Sequence, residues 1–285
     1  MASSSWLTRV WAVPCGQPQN GRGLMEVARQ CLAVRAFRLR CRALSRPARS
    51  ISFVHRPLGC VDQIAGKFPG ADYEDIRVGE GATPMDQVKD TLDANLGRMP
   101  ICEADGVSIG QGPAIHMFIA ATHGLCGSGA AEMAQILSIK EALGELDTAF
   151  RGLVKYGDDP TEEALSKFFE DSTSSDYTGM ANGAGRPTRF LKWYMGRLEG
   201  IVGDGGVAVG SSISLADVLI YNNFAECLTK EEAPDMPDWK RAPYNDAARM
   251  EAALAGCPKI KAICDAVAAN EGMKKWLAMR GPQGF

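Results

Sequence analysis

The sequence lacks any run of about 18 consecutive apolar residues, so it predicts no membrane-spanning helix. Its nine cysteines include no Cys-x-x-Cys pair, which argues against a zinc ribbon and against a redox-active dithiol. An odd number of scattered cysteines favours free thiols in a reducing compartment over a disulfide framework. The rest of the composition is ordinary, with 46% hydrophobic and 23% charged residues among 285. It excludes a collagen or a fully disordered chain, and the length fits one large domain or two small ones.

The first 61 residues contain almost no acidic residues and no lysine. Glu26 is the single acidic residue there and Lys67 is the first lysine of the chain, whereas this stretch holds ten arginines. The remaining residues carry 21 basic and 33 acidic side chains. An arginine-rich, acid-poor start with Ser3–Ser5 resembles an organellar transit peptide. We therefore expect residues 1–49 to direct import into a mitochondrion or plastid. The alternative is a disordered basic tail on a cytoplasmic protein, and no nucleic-acid partner is expected.

From about Ser50 the pattern predicts alternating strands and helices. Asp105-Gly106 is the sequence of a type I′ hairpin turn, and Pro113 suits the start of a helix. The resulting βαβαββα order predicts an α/β domain over residues 50–124. Its predicted strands are Ser50–His55, Tyr73–Val78, Met99–Ala104 and Val107–Ile109, and its predicted helices are Gly59–Phe68, Met85–Ala94 and Gly112–Thr122.

After Gly124–Gly129 the strand patterns largely stop. Apolar residues then recur at helical spacing, beginning with a long helix over Ala130–Tyr156. Ser214 and Asp217 match a capping box at the start of a later helix. An all-helical domain is therefore predicted over residues 129–285. Its other predicted elements are helices over Thr161–Asp171, Arg189–Val202, Leu215–Cys227, Asn245–Ala255, Pro258–Ala269 and Gly272–Met279, and a loop over Ser172–Gly185.

Four motifs, in this order, resemble the glutathione S-transferase family and its sigma-like class. They are a strand that begins at a cis-proline, a glutathione motif of the form Gln-Ser-x-Ala-Ile, an N-capping box, and the C-terminal helices. Their residues here are Gly97–Ile101 with Glu103–Gly106, Gly110–Ile115, Gly210–Asp217, and Pro258–Val267 with Lys274–Arg280. The resemblance implies a thioredoxin-like N-terminal domain followed by an all-helical C-terminal domain, which agrees with the α/β and all-α pattern above.

The resemblance also implies an activity. It indicates a homodimeric enzyme that conjugates the glutathione thiolate to a small hydrophobic electrophile, with glutathione as co-substrate and no metal. The alternative is a non-catalytic member of the fold that serves as a ligand carrier or an assembly subunit. Two departures from the family pattern keep this alternative open. Gly112 stands where the family has serine, and the family's tryptophan at the glycyl end has no counterpart near Pro84-Met85.

The resemblance assigns glutathione contacts to six residues: Lys89, Arg98, Met99, Pro100, Gln111 and Gly112. The backbone of Met99, before the cis-proline, would pair with the cysteinyl part of glutathione. Gln111 and Gly112 would face the γ-glutamyl end, where the start of a helix offers N–H groups to a carboxylate. Lys89 and Arg98 would reach the glycyl carboxylate.

A hydroxyl near the start of the first strand would stabilise the thiolate. Counting back without a gap from Tyr73–Asp75 places this catalytic position at Ser52, and Ser50 and His55 are the alternatives. Lowering a thiol pKa by two units requires about 2.7 kcal/mol, and one hydrogen bond to a charged group contributes about 1.5–3 kcal/mol. One such donor, helped by the positive end of a helix, is therefore sufficient.

Other reactive side chains are interpreted structurally. Neither Cys60 nor Cys102 has a histidine at a sequence spacing that indicates a catalytic cysteine–histidine pair, so burial is favoured over a nucleophilic role. His116 and His123 are interpreted as core or surface residues. Glu141 is more simply a solvated helix charge than an acid that serves a partner subunit.

Overall fold

The computed structural model describes residues 51–55, 73–78, 84–155, 158–170, 188–228 and 242–274. These ranges all fall within the unit Ser45–Phe285. The predicted leader over residues 1–49, the predicted helix over Gly59–Phe68 and the predicted loop over Ser172–Gly185 lie outside the described residues.

Four short strands form one mixed sheet. They are β1 (Ile51–His55), β2 (Tyr73–Arg77), β3 (Ile101–Ala104) and β4 (Val107–Gly110), in the order β2-β1-β3-β4. Strand β1 pairs in parallel with β2 and antiparallel with β3, and β3 pairs antiparallel with β4. The four strand predictions are confirmed, although β3 begins two residues after the predicted start, beyond Pro100.

The turn between β3 and β4 is the predicted type I′ hairpin. Asp105 and Gly106 have φ values of 49° and 81°, and this turn type needs positive φ at both central positions. Ala104 therefore pairs directly with Val107. In this register β4 ends at Gly110, which pairs with Ile101. Gln111, the next residue, therefore lies just beyond the end of the sheet.

The segment predicted as one helix over Met85–Ala94 forms two shorter pieces instead. Helix α1 covers Met85–Val88 and a 3-10 helix covers Lys89–Asn95. The hydroxyl of Thr91 donates to the carbonyl oxygen of Val88 at 2.7 Å, and bonds of this kind compete with regular helical bonding. Helix α2, Gly112–Thr122, follows β4 as predicted, with Pro113 in its first turn.

The rest of the described chain is helical, which confirms the predicted change from α/β to all-α. Helix α3 ends at Arg151 rather than Tyr156. The N–H of Gly152 still bonds to the carbonyl of Thr148, but the N–H of Leu153 turns back to the carbonyl of Phe150 at 2.8 Å. The helices are α3 (Ala130–Arg151), α4 (Glu162–Glu170), α5 (Leu191–Ile201), α6 (Leu215–Phe224), α7 (Ala247–Ala255) and α8 (Pro258–Ala268), followed by helical residues 271–274. Within the described ranges, no helix combines the length and the apolar character needed to cross a membrane.

Apolar side chains pack in two clusters on opposite faces of the sheet. Alternate residues of β3 face opposite sides, so that Cys102 joins the large cluster and Ile101 the small one. The large cluster includes α2 and continues through the helical domain to fully buried aromatic residues such as Phe168 and Phe224. The small cluster lies under α1 and the 3-10 helix, and its buried members are Val78, Val88, Leu92 and Ile101.

The capping box predicted at Ser214 and Asp217 starts helix α6. The Asp217 side chain is fully buried. One carboxylate oxygen accepts the N–H of Ala208 at 2.5 Å, and the other accepts the N–H and the hydroxyl of Ser214 at 2.7 and 2.6 Å. Burial raises the pKa of Asp217, while these hydrogen bonds act in the opposite direction. Asp217 thus ties the loop before α6 to the helix itself, in the structural role expected from the sequence.

Candidate functional site

Three connecting segments meet at one end of the sheet. The first contains the Met99-Pro100 peptide bond, which is cis, as the sequence motif implies. Pro100 immediately precedes β3, whose last pairing with β1 joins Ile101 to Val54. Met99 therefore lies just beyond the end of the β1–β3 pairing, where its backbone could pair with that of a ligand.

The second segment is the junction of β4 and α2 at Gln111. This residue has φ of 67° and ψ of 121°, a conformation that non-glycine residues rarely adopt. Its carbonyl accepts the N–H groups of Ala114 and Ile115, both at 3.0 Å, and its side chain is exposed. Strained backbone of this kind costs about 1–3 kcal/mol and is concentrated at binding and catalytic sites. The strained backbone thus identifies Gln111 as a candidate site residue without reference to the family motif.

The third segment is the end of the 3-10 helix at Asn95, a residue that the sequence analysis missed. Its side-chain nitrogen Nδ2 donates to the carbonyl of Pro100 at 3.1 Å, and its Oδ1 accepts Nε2 of Gln111 at 2.7 Å. Asn95 is only 3% exposed. The one local feature that could have indicated Asn95 is its position as a polar residue between the end of the predicted helix Met85–Ala94 and Gly97. Its partner Gln111 is sixteen positions away, so no local pattern predicts the contact.

Gly112 begins helix α2, and a side chain would fit at this position. A Cβ atom added there meets no atom within 4 Å. The hydroxyl that the family motif carries is therefore absent without any steric reason. The positive end of the eleven-residue helix remains, and it favours a bound carboxylate.

The two predicted basic contacts lie at different places. Arg98 directly precedes Met99, is exposed, and donates its N–H to the carbonyl of Asn95 at 3.1 Å. Lys89 opens the 3-10 helix, six residues before Asn95 and therefore about 12 Å from it along the axis. The structure thus brings Arg98, but not the start of the 3-10 helix, to the edge where Met99 and Gln111 lie.

The register of β1 locates the candidate catalytic residues. Ser52 pairs with Glu74 on one side and Glu103 on the other. Extending the same β1–β3 register by one pair sets the backbone of His55 level with Pro100. His55 is three residues, or about 10 Å, further along the strand than Ser52. Ser52 stays a prediction, and the register favours the alternative His55; Ser50 lies outside the described residues.

The remaining reactive side chains behave as surface or core groups. Cys102 is fully buried, and burial together with the neighbouring charge of Glu103 raises its thiol pKa to about 12. Such a thiol is inert at neutral pH, which confirms its structural interpretation. Glu141 is exposed, with its Oε1 2.7 Å from the Nζ of Lys140, as expected of a solvated helix charge. Cys60 lies outside the described residues.

The histidines of α2 and the following turn are partly buried. His116 is partly buried, and burial lowers the pKa of His123. In the described part of the chain, no group of three or more His, Cys, Asp or Glu residues is placed to hold a metal ion.

Comparison with known proteins identifies the fold. Residues 184–280 match the family described as "Glutathione S-transferase, C-terminal domain". The curated protein "Probable glutathione S-transferase 5" of Caenorhabditis elegans is 25% identical over 232 residues, which cover 80% of this chain and 94% of that protein.

Two solved nematode structures superpose on the chain. One is a C. elegans-specific GST, with a TM-score of 0.58, 22% identity, and coverage of 83% of this chain and 99% of that one. The other is monomeric Na-GST-3, a glutathione S-transferase of the hookworm Necator americanus, with a TM-score of 0.58, 21% identity, and coverage of 83% and 100%. The chain therefore has the predicted fold, a thioredoxin-like domain followed by an all-helical domain.

Proposed function

We propose that this protein is a glutathione S-transferase, which conjugates the thiolate of glutathione to an electrophilic small molecule. The observation that carries the proposal is the meeting of Met99, Gln111 and the start of α2 at one end of the sheet. The chain has the glutathione S-transferase fold, and the curated relative that it matches over most of both lengths is named as such an enzyme.

The site supports glutathione as an extended ligand. Its cysteinyl backbone would pair with the backbone of Met99, just beyond the end of β3. Its γ-glutamyl carboxylate would lie at the positive end of α2, and its amine at the exposed side chain of Gln111. Arg98, beside Met99, would bind the glycyl carboxylate. These contacts need no metal, and glutathione is the co-substrate.

Catalysis requires that the thiol lose its proton before it attacks. The proton passes to a base or to water, the thiolate forms a carbon–sulfur bond with the electrophile, and the electrophile's leaving group departs with the electron pair. The strand register supports His55 ahead of Ser52 as the residue that stabilises the thiolate. A neutral imidazole accepts the thiol proton, and a protonated one stabilises the thiolate by charge.

The non-catalytic alternative has one observation in its favour. Gly112 supplies no hydroxyl at the γ-glutamyl end, although the space for a side chain is open. A protein that holds glutathione loosely, or holds another ligand in the same place, would fit this departure. Turnover separates the two functions, because a carrier binds glutathione without consuming it.

We propose a homodimer of the sigma-like class. The class rests on the sequence motifs alone. The proposal of self-association likewise rests on the family resemblance of these motifs. Monomeric Na-GST-3 shows that the fold also occurs as a single chain. Light scattering at micromolar concentration should give a dimer mass, and a monomer mass would contradict the proposal.

We also propose that residues 1–49 are an import leader for a mitochondrion or plastid. The proposal rests on ten arginines against one acid in the first 61 residues. Fusion of residues 1–49 to a fluorescent reporter should direct it into one of these organelles. A diffuse cytoplasmic signal would favour the basic-tail alternative.

The direct test of the function combines retention and turnover. The full chain should be retained on immobilised glutathione, be released by free glutathione, and conjugate a generic aromatic electrophile. Gln111→Ala should weaken retention, because it removes the proposed amine contact. Retention without turnover would support the carrier, and failure of both would overturn the proposal.

A further inference from the structure

Two hydrogen bonds form a chain between Pro100 and Gln111, with Asn95 in the middle. Asn95 Nδ2 donates to the Pro100 carbonyl at 3.1 Å, and Gln111 Nε2 donates to Asn95 Oδ1 at 2.7 Å. These two hydrogen bonds link the two segments that would hold the cysteinyl and γ-glutamyl parts of glutathione.

The Pro100 carbonyl determines how both amides are oriented. A carbonyl oxygen only accepts hydrogen bonds, so the amide group of Asn95 that faces it must be the nitrogen. Asn95 therefore presents its oxygen to Gln111, and Gln111 must present its nitrogen in return. The oxygen of the Gln111 amide is then left on the other side, as an acceptor on an exposed side chain.

Packing around Asn95 holds this arrangement in place. Asn95 is 3% exposed, and its carbonyl accepts the N–H of Arg98 at 3.1 Å. Gly110, just before Gln111, is what lets Asn95 approach: a Cβ atom at Gly110 would lie 2.5 Å from the Cβ of Asn95. If the Asn95 amide were reversed, its oxygen would face the carbonyl oxygen of Pro100 and its nitrogen would face Nε2 of Gln111. Two acceptors and two donors would then oppose each other, and because Asn95 is buried, its unpaired polar atoms would be costly.

We infer that Asn95 is a positioning residue that fixes Gln111 with its carbonyl outward and so selects a ligand with a free amine at the γ-glutamyl end. The inference deepens the proposed function and rests on it. An outward carbonyl accepts a hydrogen bond from an ammonium group and offers nothing to a ligand that lacks one. With Asn95 removed, Gln111 rotates freely and presents either group, so the preference for the amine falls.

The test measures a ratio of affinities by calorimetry. The ligands are glutathione and its des-amino analogue, in which hydrogen replaces the γ-glutamyl amine. The full chain should bind glutathione about ten-fold more tightly than the analogue, as expected for one charge-assisted hydrogen bond. Asn95→Ala should reduce this ratio to about three-fold or less, because only a fraction of Gln111 side chains then present oxygen.

Two further variants show whether Asn95 acts through Gln111. Gln111→Ala should bring the ratio close to one, and Asn95→Ala added to Gln111→Ala should change it no further. Asn270→Ala is the matched control, because the Asn270 side chain also makes two hydrogen bonds, both accepted from the N–H groups of Gly272 and Met273, but belongs to the end of the helical domain. It should keep the ten-fold ratio.

Each outcome decides the inference. An unchanged ratio in Asn95→Ala, or a wild-type ratio near one, would overturn it while glutathione binding stands. If Asn95→Ala fails to fold, Asn95→Leu, which keeps the buried volume but has no amide, carries the test, and an unchanged ten-fold ratio there would overturn the inference. Failure of the wild type to bind either ligand would overturn the inference together with the proposed function.

Discussion

Asp217 in the helical domain and Asn95 at the end of the sheet are both buried polar side chains, but their hydrogen bonds lead to different places. Asp217 accepts three hydrogen bonds from Ala208 and Ser214, all within the loop and helix that it joins. Asn95 links Pro100 to Gln111, whose side chain is exposed. The first network is closed and stabilises the fold, whereas the second ends at the surface and orients a group toward a ligand.

The two regions also differ in their apolar packing. The helical domain shares a large buried cluster with α2, while the small cluster on the other face of the sheet has four buried members among the residues whose burial the structure describes. Free energy of unfolding should therefore respond mainly to changes in the helical domain. Changes at the sheet end should alter binding and turnover more than stability.

The largest expected effect is on stability, at Asp217. Asp217→Ala removes three hydrogen bonds to a buried carboxylate and leaves their donors unpaired, so the free energy of unfolding should fall by about 3 kcal/mol. Denaturant unfolding at neutral pH measures it. Asp204→Ala is the control, because Asp204 is exposed and forms a surface ion pair with Lys259, and it should change stability by less than about 0.5 kcal/mol. Equal losses in Gln111→Ala and Asp217→Ala would contradict the division between the two regions.

The next effect is on turnover, at β1. His55→Ala should lower turnover at neutral pH at least about ten-fold, through the loss of one interaction with the thiolate, while glutathione affinity changes little. The rate should partly recover at high pH, where the thiol ionises unaided. Ser52→Ala would give this pattern instead if the count back without a gap from Tyr73–Asp75 locates the catalytic residue correctly. If both variants keep wild-type turnover across the pH range, neither His55 nor Ser52 has a catalytic role.

A smaller, favourable effect is expected at Gly112. Gly112→Ser should strengthen glutathione binding about ten-fold, because it adds one hydrogen bond to a carboxylate in open space. Gly112→Ala is the matched control, since it fills the same space without a hydroxyl, and it should bring no gain. Calorimetry that finds equal affinities for the two variants would mean that the γ-glutamyl carboxylate does not lie at the start of α2.

The smallest effect is expected from removal of residues 1–49. A chain that starts at Ser50 should keep glutathione affinity within about two-fold and stability within about 0.5 kcal/mol, as for changes away from packed or catalytic groups. Calorimetry and denaturant unfolding of the two chains compare them. Aggregation of the shortened chain alone would contradict the leader interpretation.

Features with a local physical signature were predicted from the sequence. The Asp105-Gly106 hairpin depends on positive φ at two adjacent residues, and the capping box of α6 on groups three residues apart. Asn95 was missed because its contacts come from Pro100 and from Gln111 sixteen positions away. The catalytic position was uncertain for the same reason, since only the pairing of β1 with β3 relates Ser52 and His55 to the cis-proline.

The titration of the bound thiol tests the central claim most directly, because it asks whether the sheet end activates glutathione. The ultraviolet absorbance of the thiolate, followed against pH with the protein saturated by glutathione, gives the thiol pKa of the complex. The bound thiol should titrate with a pKa about 1–2 units below the value of about 8.5 for a free thiol. A bound thiol that titrates at the free value, or no binding at millimolar glutathione, would contradict the account.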